Sequence, residues 1–169
     1  DMTVVEIWPG GGWYTKILAP YLASGGGVYI AAQRDPASSP RAAEAVQKFK
    51  DAYADTALYG DIRVSVLGDG AEVAPAGTAD VVLTFRNVHN WMSAGEAEAN
   101  FAAFYRALKP GGVLGVVEHR AMEEAGDDVS SGYVKGSTVK ALAEGAGFVF
   151  VEASEINANP ADTKDHPFG

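Results

Sequence analysis

The chain has 169 residues, 47% hydrophobic and 21% charged, with a net charge of −9 and no cysteine. That length and balance fit one globular domain with a sizeable core. The acidic balance argues against a basic nucleic-acid or anionic-membrane surface, and the lack of cysteine excludes disulfides, thiolate metal sites and a cysteine nucleophile. No signal peptide or membrane span is visible.

Val4, Val5 and Ile7 favour a buried strand. Gly10, Gly11 and Gly12 follow as a loop that turns sharply and admits a ligand close to the backbone. A helix from Trp13 to Leu22 then points its positive end at that ligand. Ser24-Gly25-Gly26-Gly27 turns the chain into a second strand, Val28 to Ala32. Ser39 caps a helix from Pro40 to Ala54, whose Ala42, Val46, Phe49 and Tyr53 recur at helical spacing. Strands over Ile62 to Leu67 and Ala79 to Phe85 come next, followed by a helix from Gly95 to Leu108. Pro110-Gly111-Gly112 turns into a fifth strand, Val113 to Glu118. Glu123 to Ser131 reads as an acidic loop, Ser137 to Gly145 as a helix and Phe148 to Glu152 as a sixth strand. The alternation of strand and helix predicts a single α/β domain over 1–169, a parallel sheet covered on both faces.

The first loop is of the kind that holds a nucleotide cofactor. A dinucleotide fingerprint places a third glycine where this chain has Thr15, and an acid after the second strand, where it has Ala32 or Gln33. The acid instead precedes the loop, at Glu6. A carboxylate there repels a pyrophosphate and suits a ligand with an ammonium or sulfonium, such as S-adenosylmethionine.

Four motifs in series, Val5-Glu6-Ile7 with Gly10-Gly11-Gly12, Gly68-Asp69-Gly70, Ala79 to Leu83, and Leu108 to Leu114, resemble the class I S-adenosylmethionine-dependent methyltransferases over nearly the whole chain. The opening is also similar to a bacterial group of predicted methyltransferases with an EIWPGGGWYT loop. The resemblance implies a Rossmann-like, doubly wound, mostly parallel sheet, here without the usual last antiparallel strand. It implies that Gly10 and Gly12 line the methionine and ribose parts of the cofactor, and that Asp69, beside Gly70, receives the adenine amino group. Trp8 stands where the family has its first loop glycine and is read as a pocket wall. The ribose acid is missing after the second strand, where Gln33 and Asp35 are the nearest substitutes. Members of that bacterial group carry N-terminal export signals. The chain opens at Asp1 almost inside the first strand, so it reads as trimmed or short at both ends; the location is cytoplasmic by default and periplasmic if a signal has been removed.

Arg86-Asn87-Val88-His89-Asn90-Trp91 is the densest polar run and follows the fourth strand, where the family brings donor and substrate together. Arg86 and Asn87 are counted with the cofactor site. His89, and His119 after the fifth strand, are candidate bases for an acceptor that must lose a proton. Trp8, Trp13, Tyr14 and Trp91 are candidate aromatic faces for a cationic donor, with Trp13 read as structural. Three scattered histidines do not form a metal site. The expected function is methyl transfer from S-adenosylmethionine to a small molecule. A nicotinamide-dependent oxidoreductase and a non-catalytic cofactor-binding module are the alternatives. Without the last strand the sixth strand would expose an edge that a dimer contact could cover, and the oligomeric state is left open.

Overall fold

The computed structural model describes residues 1–68, 70–126 and 128–164. The contacts group the chain into two compact units. The first comprises Asp1–Phe85 with Arg106–Val116, and the second Arg86–Tyr105 with Val117 onward.

The first unit is built on β1 (Thr3–Ile7), β2 (Val28–Arg34), β3 (Arg63–Leu67), β4 (Ala79–Phe85) and β5 (Leu108–Val117), in the order β3-β2-β1-β4-β5. Register pairs Glu6 with Ala31 and Leu83, and Ala32 with Ser65, all in parallel. Thr78 N–H reaches the Ala107 carbonyl at 3.0 Å, and Arg86 N–H the Val117 carbonyl at 2.7 Å, so β5 also runs parallel to β4. Parallel neighbours need crossovers, supplied between β1 and β3 by α1 (Thr15–Ser24) and α2 (Pro40–Ala52), followed by the single turn α3 (Thr56–Tyr59). Ala31 and Ala32 point to opposite faces and both are fully buried, so both faces of the central strands are covered. One face packs Val4, Tyr29 and Ala31 against Ala19, Leu22, Phe49 and Tyr53 of the two crossover segments.

Local signals explain these elements. Ser39 Oγ accepts from Ala42 N at 3.1 Å and Pro40 takes the first helical position, as expected. Asp80, on β4, ties down the starts of β1 and β5 by accepting from Thr3 N at 2.7 Å and from Lys109 Nζ at 2.8 Å. The Lys109 and Thr3 donors hold its carboxyl below its ordinary range.

The second unit contains α4 (Val88–Ala94), most of α5 (Ala97–Ala107), α6 (Gly136–Gly145) and a two-residue parallel pair, β6 (His119–Arg120) with β7 (Tyr133–Val134). Trp91, Phe101 and Phe104 form its fully buried aromatic core. Within the acidic loop, the described residues of 123–131 form only turns and bends.

Three expectations are corrected. Phe148 to Glu152 is not a strand: it has no ladder partner, and Val149 and Val151 are 83% and 87% exposed. Alternating β-branched and aromatic residues favour a strand only where another strand pairs with them. The polar run after β4, to which the sequence pattern assigns no element, leads from Val88 into the helix α4, closed by Gly95 in a left-handed conformation. Pro110-Gly111-Gly112 belongs to β5 rather than to a turn before it, and Leu108 to β5 rather than to the end of the preceding helix. Trp13 precedes α1 and is 68% exposed, so it is not a core residue.

Candidate functional site

The end of β1 and the start of α1 form a layered structure in the first unit. Glu6 is almost fully buried and accepts hydrogen bonds from the hydroxyls of Tyr29 and Thr15, the latter at 3.3 Å. Burial raises the Glu6 carboxyl above its ordinary range, and the two hydroxyls only partly offset this. Burial, then the Glu6 charge, pushes the Tyr29 phenol far above its ordinary range. Thr15, in the third-glycine position of a dinucleotide loop, is fully buried, and its hydroxyl lies 2.8 Å from that of Tyr29. Glu6 thus anchors the first turn of α1 from beneath.

Above it, Trp8 takes a positive φ of 47°, unusual for a bulky residue, while its N–H bonds the Ala32 carbonyl at 2.8 Å. The Arg34 guanidinium sits 3.7 Å over the indole. The glycines divide the work. A Cβ at Gly10 or Gly11 meets nothing within 4 Å, whereas one at Gly12 falls 2.1 Å from the Tyr53 hydroxyl. That hydroxyl shares its proton between the Gly11 and Gly12 carbonyls, at 2.9 and 2.8 Å. Gly10 and Gly11 therefore present open backbone, and Gly12 permits the contact with Tyr53, the residue that closes α2. Tyr14 stacks on Phe85 with ring centroids 3.6 Å apart.

Gln33 is 6% exposed, and its Nε2 has no hydrogen-bond partner. A buried amide donor left unmatched costs about 1–3 kcal/mol, which a ligand oxygen relieves. It lies on β2, one residue past the Ile7–Ala32 pair that closes the β1 ladder. Asp35, the other substitute for the ribose acid, is exposed and caps a turn through Ala37 N at 2.8 Å. Gly70 has φ +69° and open space around it. Asp69 and His166 lie outside the described residues.

In the second unit, Arg86 follows β4 with φ +59°, a second non-glycine in the left-handed region just past a strand. Asn87 is buried at the N-cap of α4. His89 is buried, with Nδ1 3.1 Å from Glu118 Oε2 and Nε2 3.0 Å from Asn90 Nδ2. His119 is exposed; its backbone N–H, not its ring, bonds Glu118, at 2.9 Å, and its ring lies 5.8 Å from that of Tyr133. Trp91 is core. Among the described residues, no group of three His, Cys, Asp or Glu could hold a metal ion, and no helix is long and apolar enough to cross a membrane.

No protein-family model matches the chain, and no curated protein does. Solved structures do. A SAM-dependent methyltransferase from Aquifex aeolicus superposes with a TM-score of 0.63 at 19% identity, over 86% of this chain and 71% of that one. A TehB-like SAM-dependent methyltransferase from Corynebacterium glutamicum gives 0.57 at 15%, over 86% and 65%. The cyclase SpnF gives 0.64 at 15%, over 87% and 50%. This is the α/β fold of the class I methyltransferases. At these identities the likeness is one of fold, and the cyclase shows that the fold also serves a differently named activity.

Glu118, Tyr29 and Tyr53 are the residues that sequence reasoning missed. Glu118 had a signal: it closes the fifth strand's apolar run as an acid, directly before His119. Tyr29 and Tyr53 had none beyond their core spacing, because a phenol's polar end is invisible in an apolar pattern.

Proposed function

We propose that this chain binds S-adenosylmethionine at the β1–α1 loop and transfers its methyl group to a small molecule. The observation that carries this reading is the buried, unpartnered Gln33 amide at the end of β2, in a unit whose Gly10 and Gly11 offer open backbone and whose fold is that of the methyltransferases. Those groups fit a neutral, hydroxylated sugar. The bonded Thr15 in place of a third glycine disfavours a dinucleotide. S-adenosylmethionine supplies a sulfonium-bound methyl group that an in-line nucleophile displaces.

In this reading Gly10, Gly70, Asp69 and Gln33 contact the cofactor, Trp8 walls its pocket, and Glu6 and Gly12 hold the loop in shape. His89 or His119 takes a proton where the acceptor must lose one. The protein's main contribution is position and orientation. The net charge of −9 supports a small-molecule acceptor over a nucleic acid. A second reading, a cofactor-binding module that transfers no methyl group, draws on the cyclase with the same fold.

Calorimetric titration with S-adenosylmethionine and, separately, NAD(H) tests the reading. Micromolar binding of the first is expected, weakened in Gln33→Leu and Asp69→Ala. Binding of NAD(H) alone, or of neither, overturns it.

A further inference from the structure

His89 is the one described histidine whose ring is buried and bonded at both nitrogens. A carboxylate only accepts hydrogen bonds, so the 3.1 Å contact with Glu118 requires the proton on Nδ1. Nε2 is then a bare lone pair, and the Asn90 amide donates to it at 3.0 Å. Glu118 is itself fixed by backbone donors. Its Oε2 also accepts from Val88 N at 2.8 Å and His89 N at 3.3 Å, and its Oε1 from His119 N at 2.9 Å. A carboxylate with so many backbone donors cannot rotate away, and the ring it holds cannot change tautomer without losing that bond.

We propose that Glu118 is the positioning residue of an acid–base histidine. It holds His89 in the Nδ1–H form so that Nε2 takes the proton of a hydroxyl acceptor, which displaces Asn90. This rests on reading the chain as a methyltransferase and names the class of acceptor. The acceptor's O–H bond breaks, its electron pair stays on oxygen as the nucleophile, and the proton moves to Nε2. The imidazolium so formed keeps its Nδ1–H on Glu118, whose charge stabilises it, and returns the proton to water. Phenolic hydroxyls, with ordinary pKa values near 10, need such help more than thiols, which ionise near 8.5. The geometry therefore points to an alcohol or phenol.

The full-length chain labelled with ¹⁵N-histidine separates the outcomes. Nitrogen NMR at neutral pH, with His89→Gln to assign the signal, should show His89 protonated at Nδ1 and bare at Nε2. Glu118→Ala, which removes the acceptor, should shift the ring toward the Nε2–H form, and Asn90→Ala should keep the wild-type tautomer. Diethyl pyrocarbonate, mapped by mass spectrometry, should acylate Nε2 faster in Asn90→Ala than in wild type and slower in Glu118→Ala. A wild-type Nε2–H ring overturns the proposal. So does an unreactive His89 in a folded Asn90→Ala, judged by circular dichroism. If Glu118→Ala fails to fold, the wild-type tautomer and the Asn90→Ala reactivity still decide. Failure of S-adenosylmethionine to bind while His89 behaves as described would remove the methyltransferase reading and leave the histidine–carboxylate pair standing.

Discussion

Glu6 and Glu118 are both buried acids at strand ends, yet they are solvated in opposite ways. Glu6 meets two hydroxyls and an apolar layer, and its burial favours the protonated form. Glu118 meets three backbone N–H groups and an imidazole, all of them nitrogen donors. The loops beside them differ in the same sense. The one after β1 is rich in glycine and opens backbone to a ligand; the one after β4 has no glycine before α4 and offers side chains. Under the proposed function, the ligand would be held by its outline where side chains are removed, and the proton would be moved where they are crowded and wired to the backbone.

The sharpest way to break that division is Gly12→Ala. Its Cβ would overlap Tyr53, and the position has φ +79°. A loss of about 3 kcal/mol or more is expected in urea denaturation. Gly10→Ala, in open space, should cost only the backbone strain of about 1–2 kcal/mol while still blocking cofactor binding. Equal costs at the two positions would show that the glycines do not divide the work.

Glu118→Ala comes next. Removing the acceptor strands buried N–H groups of α4, at about 1–3 kcal/mol. A variant as stable as wild type would mean that water replaces the carboxylate freely.

Glu6→Gln gives the smallest change and the most specific one. The folded carboxyl titrates above its ordinary value of 4.5, so the folded state keeps a proton that the unfolded chain has lost. Its contribution is therefore complete below 4.5 and is lost as pH rises through the folded value. The glutamine variant cannot ionise, so its stability relative to wild type should climb over that window. A difference that stays flat with pH would show that Glu6 is not raised.

The fold was legible because β1 to β4 are apolar runs bounded by glycine, proline or acid, and β4 was placed at its observed limits. The segment over 148–152 has the same local character and is no strand, because pairing is a property of two segments and only one is written there. The run after β4 stood out as polar, but the helix within it did not, since its apolar anchors Val88 and Trp91 are only two residues. The buried hydroxyl layer around Glu6 was hidden for a related reason: Thr15 and Tyr29 satisfy an apolar pattern while carrying polar atoms into the core.

Tyr29 gives that layer an optical signature. With its phenol held far above the ordinary tyrosine range by burial and the Glu6 charge, it stays neutral in mild alkali while the fold is intact. Ultraviolet absorbance followed through an alkaline titration would then fall short of the full phenolate count until the protein unfolds. Burial raises Tyr53 as well, so the shortfall includes both phenols, and the Tyr29 share would appear only when β1 parts from α1.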